Sequence, residues 1–459
     1  MFDFYTKMYP HNGGKTEVEA WQTLVHVCRR WRTLVFESPR RLNLQLYCTP
    51  YTPARNKLDV WPALPLIIEG LIDMSSDMDN VIVALKQSNR VRRVLLDFEN
   101  IRSWQLEEVL ASMQVPFPEL TDLEFSPLFR TPPPAIPDSF LGGSAPRLRH
   151  FELFGIPFPG LPKLLLSTTH LLELRLFNIP HSGYISPEAM ATLLSMLPNL
   201  RLLFLKFRSP DSHPDWESRS LPPSKRSILP AFRQFHFQGV TEYLEDLVTH
   251  IDTPQLDRMH IKFFTPDVFD CPRLAQFINR TLTRRALDKA HMLFDDSSVK
   301  VTLQYLTPEI HIDNFEIGIS CSELEPDWQL SFTERVCSSI LQPLSTVEVL
   351  YIELYYRLWE DGANENTLWL GLLRPFTAVK NLFLCKELAP HIAGALQELV
   401  GGRITEVLPG LQNIFVEGFQ VEPWGILQEN IAQFIVARQL SGHVIAISDW
   451  NKDSDIERT

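Results

Sequence analysis

The chain has 459 residues, 45 % apolar and 21 % charged, an ordinary soluble globular composition with enough apolar area for a sizeable core. Its formal net charge of −12 argues against a general nucleic-acid binder, which would show a basic field. No window approaches the ~18 to 20 uninterrupted apolar residues that a membrane helix needs. The opening Met1-Phe2-Asp3-Phe4-Tyr5 carries neither a basic n-region nor a long apolar run, so no signal or transit peptide is expected. Cys28, Cys48, Cys271, Cys321, Cys337 and Cys385 form no C-x-x-C pair. They suggest reduced, mostly buried thiols rather than a disulfide framework or a zinc site. The expected location is the cytoplasm or nucleus.

In chain order, the first element is a helix over Thr16 to Phe36. Thr16 and Glu19 match a capping box. Trp21, Leu24, Val25, Cys28, Trp31, Leu34 and Val35 then recur at three- and four-residue steps, which predicts one continuous apolar face. Arg29, Arg30 and Arg32 lie mostly off that face and read as a solvated basic surface. Ser38-Pro39 ends the helix, and Leu42, Leu44 and Leu46 alternate as a short strand would.

The stretch Leu24-Val25-His26-Val27-Cys28-Arg29-Arg30-Trp31-Arg32-Thr33-Leu34 resembles the last conserved helix of an F-box, roughly L-x-x-V-C-R/K-x-W-R/K-x-L. Ser38-Pro39-Arg40-Arg41-Leu42-Asn43-Leu44 and Leu58-Asp59-Val60-Trp61-Pro62 look like a large fungal F-box family, in which leucine-rich repeats follow the F-box. The Leu-Pro turn and first helix of a complete F-box are missing from this sequence, so the expected element is a partial F-box. By this resemblance Leu24, Val27, Cys28, Trp31 and Leu34 would contact a Skp-family adaptor. The alternative reading is a helix that caps the first repeat of the array behind it.

A short phrase then recurs: an apolar residue, another three positions later, and a third two after that. The copies are Val91/Val94/Leu96, Leu120/Leu123/Phe125, Leu148/Phe151/Leu153, Leu171/Leu174/Leu176, Leu200/Leu203/Leu205, Phe232/Phe235/Phe237, Leu256/Met259/Ile261, Val347/Leu350/Ile352, Val379/Leu382/Leu384 and Leu411/Ile414/Val416. The last two positions of each copy alternate, as a strand with one buried face requires, and the first is the bend into it. Helical spacing fills the intervals. In the clearest case Ser186 is the N-cap, Pro187 the first helical residue, and Met190, Leu193, Leu194 and Leu197 share one face.

Copies recur roughly every 23 to 32 residues apart from one long gap, close to the about 20 to 29 of a leucine-rich repeat. The chain therefore resembles an irregular leucine-rich-repeat protein. The fold class expected is α/β, a solenoid with a parallel sheet and helices on its outer side; an α/β domain with several parallel strands would also meet the pattern. The expected organisation is a partial F-box-like segment over 1–46, a connecting or capping segment over 47–87, the array over 88–420, and a C-terminal cap and tail over 421–459. Within the array, 209–227 reads as an exposed loop and 262–346 as two or three degenerate repeats, with strand-like runs at Val299–Leu303 and Ile310–Ile312. Thr131 to Pro137 reads as a stiff extended segment and Gly142-Gly143-Ser144 as a turn.

No P-loop, dinucleotide fingerprint, H-E-x-x-H or G-x-S-x-G occurs. Asp73, Asp77, Asp79 and the Asp295-Asp296 pair lack the spacing of a calcium loop. No cofactor, metal or catalytic residue is expected. The reading is a non-enzymatic adaptor: by resemblance, the substrate-recognition subunit of a Skp–cullin–F-box type ubiquitin ligase, binding a Skp-family adaptor and a target protein. The second reading is a repeat scaffold without ligase coupling. Neither nucleic acid nor membrane is an expected partner.

Overall fold

The computed structural model of the chain describes residues 25–37, 45–51, 53–61, 63–73, 75–99, 103–128, 133–212, 226–264, 271–282, 287–295, 298–304, 316–322, 326–355, 365–399, 403–418 and 425–451. Leu24, the Thr16/Glu19 box, Ser38-Pro39, most of the 209–227 loop, the Ile310–Ile312 run and the tail beyond 451 lie outside the described residues. The chain divides into two compact units, 1–185 with 192–214, and 186–191 with 215–459.

The fold is α/β and repetitive, and each unit is a sheet dominated by parallel strands. All thirty residues of the ten repeated phrases are buried, none more than 5 % exposed. The bend works as the sequence suggests. The N–H of the first apolar residue donates three residues back in copy after copy: Leu120 to Phe117, Leu148 to Ala145, Leu171 to Thr168, Leu200 to Leu197 and Leu256 to Thr253. One residue further on, a single carbonyl accepts two consecutive N–H groups of the next repeat. Arg149 O takes Leu172 N and Glu173 N at 2.8 and 3.0 Å, and Lys380 O takes Gln412 N and Asn413 N, both at 2.9 Å. The same fork recurs at Thr121, Leu172, Arg233, Asp288 and Glu348, and it starts the strand that follows in register with its neighbour.

In the first unit, seven strands pair in chain order and all in parallel: β1 (Leu46–Cys48), β2 (Leu66–Ile72), β3 (Val91–Glu99), β4 (Asp122–Leu128), β5 (His150–Phe154), β6 (Glu173–Ile179) and β7 (Leu202–Phe207). Their buried positions form columns. Val94, Leu123, Phe151, Leu174 and Leu203 are successive partners in one, and Leu96, Phe125, Leu153, Leu176 and Leu205 in the next. Phenylalanines thicken this core: Phe98 meets Phe125 edge-on at 5.8 Å, and Phe140 meets Phe158 at 5.7 Å. Helices α1 (Arg29–Glu37), α2 (Ala54–Val60), α3 (Ser75–Leu85), α4 (Ser103–Ser112) and α5 (Leu161–Leu165) supply the other elements. Leu106, Val109 and Leu110 are the buried face of α4.

Strands β1 and β2 fall in the stretch read as a connector, so the parallel array begins before residue 88. The phrase is illegible there because Leu66, Ile67 and Ile68 are buried consecutively rather than in alternation. Gly142 makes the expected turn at φ 65°, where a Cβ would lie 2.8 to 2.9 Å from Pro116. Pro133 to Pro137 has no regular secondary structure. Helix α6 (Pro187–Ser195) starts as predicted: Ala189 N–H donates to Ser186 Oγ at 3.3 Å, and Met190, Leu193, Leu194 and Leu197 are buried.

In the second unit, β8 (Gln234–Gly239) and β9 (Arg258–Phe263) pair in parallel, with α7 (Thr241–His250) between them. The stretch 262–346 then departs from repeat geometry. Helix α8 (Pro272–Leu282) leads to β10 (Lys289–Phe294), β11 (Ser298–Gln304) and β12 (Glu316–Ser322), which enter the sheet in reverse order, β9-β12-β11-β10. Strand β11 is antiparallel to both neighbours, whereas β12 runs parallel to β9. The reason is local. Asp295 N–H donates to Ser298 O at 2.8 Å, closing a hairpin too short for the dozen or more residues a parallel crossover needs. The columns survive the reversal: Ile317, Leu303, Ala290 and Leu350 remain partners in sequence. Strand β13 (Val349–Leu354), α10 (Glu365–Leu373), β14 (Asn381–Leu384), α11 (Ala389–Gln397), β15 (Asn413–Glu417), α12 (Gly425–Leu440) and β16 (Ala446–Trp450) resume parallel order, behind α9 (Pro326–Arg335). Helices α9 to α12 pack side by side in succession. Strand β16 extends the array past residue 420.

Arg438, on α12, is fully buried without a carboxylate partner among the described residues. Its guanidinium donates to Val407 O at 2.7 Å and Leu408 O at 2.9 Å, and lies 5.2 Å from the centre of the Phe434 ring. It thereby holds the turn in which Leu408 takes a φ of 49°. Replacing Arg438 by Ala would strand the buried Val407 carbonyl and empty the space the guanidinium fills, while Leu408 O would keep the Leu411 N–H. The expected loss is about 2 to 4 kcal/mol of unfolding free energy, read by chemical denaturation.

Candidate docking surfaces

Three exposed features combine apolar and charged side chains: the N-terminal helix and the outward faces of the two sheets. The helix is not continuous. Residues 25–27 and Arg29–Glu37 are helical, and the run is interrupted at Cys28, where the Arg32 Nε–H donates to Val25 O at 3.1 Å. The single apolar face predicted for Thr16 to Phe36 is therefore split. Val25 is buried at 2 % exposure, and Trp61, just after α2, meets His26 and Phe36 edge-on at 6.3 Å each. Val27 is 61 % and Leu34 46 % exposed, Cys28 is exposed, and Trp31 is half-buried. Four of the five residues expected at an adaptor interface are thus described, and three of them face solvent; Leu24 is not among the described residues. Arg29, Arg30 and Arg32 are exposed, as read from the sequence.

The outward face of the first sheet is built from the residues between the last two apolar positions of each phrase, together with their neighbours on the same face. Glu69, Leu95, Glu124, Glu152, Arg175 and Phe204 are successive cross-strand partners from β2 to β7. Beside them runs a chain of alternating charges. Arg93 Nε is 3.5 Å from Asp122, His150 Nδ1 is 2.7 Å from Asp122, and Arg175 reaches Glu173 at 2.7 Å and Glu152 at 3.4 Å. Burial pushes the Asp122 carboxyl up, but hydrogen bonds from His150 and Thr121 and the Arg93 charge outweigh it and hold the group below its usual range. The same hydrogen bond to Asp122 raises His150. Glu124 and Asp97 differ: burial, and then neighbouring carboxylates, push both up. Phe154, Phe177 and Phe204 adjoin one another at 6.3 and 5.2 Å, with Lys206 Nζ 5.3 Å above two of the rings.

The outward face of the second sheet has another character. His236 stacks on His260 at 4.8 Å. Tyr351, Phe383 and Phe415 form a ladder of near-parallel rings 4.4 Å apart, and Trp450 lies against Tyr351 and Phe383 at 5.8 and 5.5 Å. Lys289 Nζ sits 4.5 Å over Tyr351. None of these outward residues was singled out from the sequence. All but Lys289 and Trp450 occupy the last x of an L-x-x-L-x-L phrase, a position that reads as noise until the register is known.

Among the described residues, no group of three or more His, Cys, Asp or Glu could hold a metal ion. No helix of the described residues is long and apolar enough to cross a membrane. The six cysteines are free; Cys28 is exposed and the other five are buried. Burial pushes the Cys337 thiol far up and Cys385 up to about 12, which keeps both as inert thiols.

No family model and no curated protein matches the chain. Solved structures that match include the leucine-rich repeat-containing protein LegL7 of Legionella pneumophila. That match has 12 % identity and a TM-score of 0.29, covering 87 % of this chain and 98 % of that one. A likeness at that score carries no argument, and the fold rests on the strand columns and forks described above.

The Asp122–His150 pair sets a pH dependence. A histidine whose folded pKa is raised adds stability that is complete below its unfolded value, about 6.5, and lost as pH rises through the folded value. At the acid end the contribution disappears as Asp122 is protonated, below the usual carboxylate range. The stability difference between the native chain and His150→Gln is therefore expected to be largest at mildly acidic pH and to shrink above neutrality, as measured by urea unfolding across a pH series.

Proposed function

We propose that the protein is a non-enzymatic adaptor that recognises a target protein through its repeat array. In the finer reading it is the substrate-recognition subunit of a Skp–cullin–F-box type ubiquitin ligase. The observation that carries this reading is the N-terminal helix. Val25 and Phe36 serve its attachment, while Val27 and Leu34 remain in solvent. A helix that only capped the first repeat would turn its apolar residues inward. Here the outward ones coincide with the positions that an F-box resemblance assigns to the Skp-family adaptor. The repeats favour the second half of the reading, since their outward faces carry rings and charges on a rigid support. The mechanism is tethering: a target held on the array meets a ubiquitin-loaded enzyme at high local concentration, and other subunits perform the transfer.

The test is retention of the purified chain by an immobilised Skp-family adaptor. The native chain is expected to be retained. Val27→Asp and Leu34→Asp, both at exposed positions, are expected to weaken retention by about tenfold or more without lowering the melting temperature. Trp31→Ala, at a half-buried position, is expected to weaken retention as well. An unretained native chain would overturn the ligase reading and leave a repeat scaffold as the function.

A further inference from the structure

The outward face of the first sheet is unevenly neutralised. Arg93, His150 and Arg175 are all engaged with Asp122, Glu152 and Glu173. Glu69, Asp97 and Glu124, on the adjoining strands β2, β3 and β4, have no ion-pair partner among the described residues. Asp97 is exposed and the two glutamates are half-buried, around the half-buried Leu95. An isolated fold gains nothing from unpaired carboxylates that repel one another across neighbouring strands.

A second observation is independent of these acids. At the other end of the same face, Phe177 and Phe204 already receive cations on their rings: Lys206 Nζ lies 5.3 Å from both, and the Arg175 guanidinium 5.4 Å from Phe204. The face thus offers carboxylates at one end, which favour cations, and at the other an aromatic surface capped by its own cations, which suits the apolar stems and side chains of a bound segment.

Resting on the reading of the array as a target-binding surface, we infer that the outward face of β2 to β7 docks a lysine- and arginine-rich segment of a partner protein that also carries apolar side chains. Its cations would sit over Glu69, Asp97 and Glu124 and its apolar groups against Leu95 and the phenylalanines. An anionic partner such as a nucleic acid would meet the same carboxylates as a barrier.

Two synthetic peptides test this by fluorescence anisotropy on the full chain, one alternating lysine with leucine and one alternating glutamate with leucine. The lysine peptide is expected to bind and the glutamate peptide not. The double variant Asp97→Asn/Glu124→Gln is expected to weaken binding by about tenfold while keeping or raising the melting temperature, because neither residue has an ion-pair partner among the described residues and both face neighbouring carboxylates. The control Glu107→Gln/Glu108→Gln makes the same charge change on α4 and is expected to leave binding unaltered. Equal weakening by the control would overturn the proposal in favour of general attraction to an acidic chain. Equal binding of both peptides, lost on Phe177→Ala, would overturn the charge assignment yet leave the face a docking surface. No binding of the lysine peptide would overturn the proposal, while retention by the adaptor would still report separately on the helix.

Discussion

A single β-strand with one apolar face cannot cover that face by itself, and the rest of this structure follows from how the chain meets that constraint. Each repeat contributes two inward side chains, and those of the next repeat fall beside them in register. The fork at which one carbonyl accepts two N–H groups of the following repeat fixes where the strand begins in most of the legible repeats. Because the fork uses backbone atoms alone, it does not depend on which apolar side chain stands at the bend. This is why repeats of unequal length, with Leu, Phe, Met, Ile or Val inside, still align into unbroken columns.

The reversal at β10 to β12 shows how strong the column constraint is. A short hairpin forces one strand to run against its neighbours, and the chain fills the sheet backwards. The inward residues nevertheless keep their places, with Val301 between Ile319 and Met292. Antiparallel pairing preserves the alternation of faces as well as parallel pairing does. The sheet can therefore accept a foreign element provided its period is two.

Inward positions are under one demand and outward ones are under none that the fold imposes. That asymmetry explains the contrast between the two faces. The inner columns are uniformly apolar, whereas the outer rows hold paired charges, unpaired carboxylates, stacked histidines and a ladder of rings. Specificity on a repeat array resides where the fold leaves the residue free, and the unpaired acids of the first unit are the clearest departure from self-sufficiency. The N-terminal helix follows the same logic on a smaller scale: Val25 serves the fold, and Val27 and Leu34 do not.

The sequence by itself determined the inward columns, the bends that precede them, and the start of helix α6 at Ser186 and Pro187. Each depends on residues within a few positions of one another, where period and capping chemistry are local. It also marked the helix around Trp31, although not its interruption at Cys28, across which the Arg32 guanidinium donates to the Val25 carbonyl seven residues before it. The early strands β1 and β2 escaped because a run of consecutive apolar residues carries no period. Only the tertiary structure decided the reversed order of β10 to β12, the place of Arg438 against the turn at Leu408, and the neighbours on the outer faces. Glu124 and Glu152 are about one repeat apart in the chain and adjacent in space. The interaction between such residues is set by strand pairing, which lies beyond the reach of any local pattern.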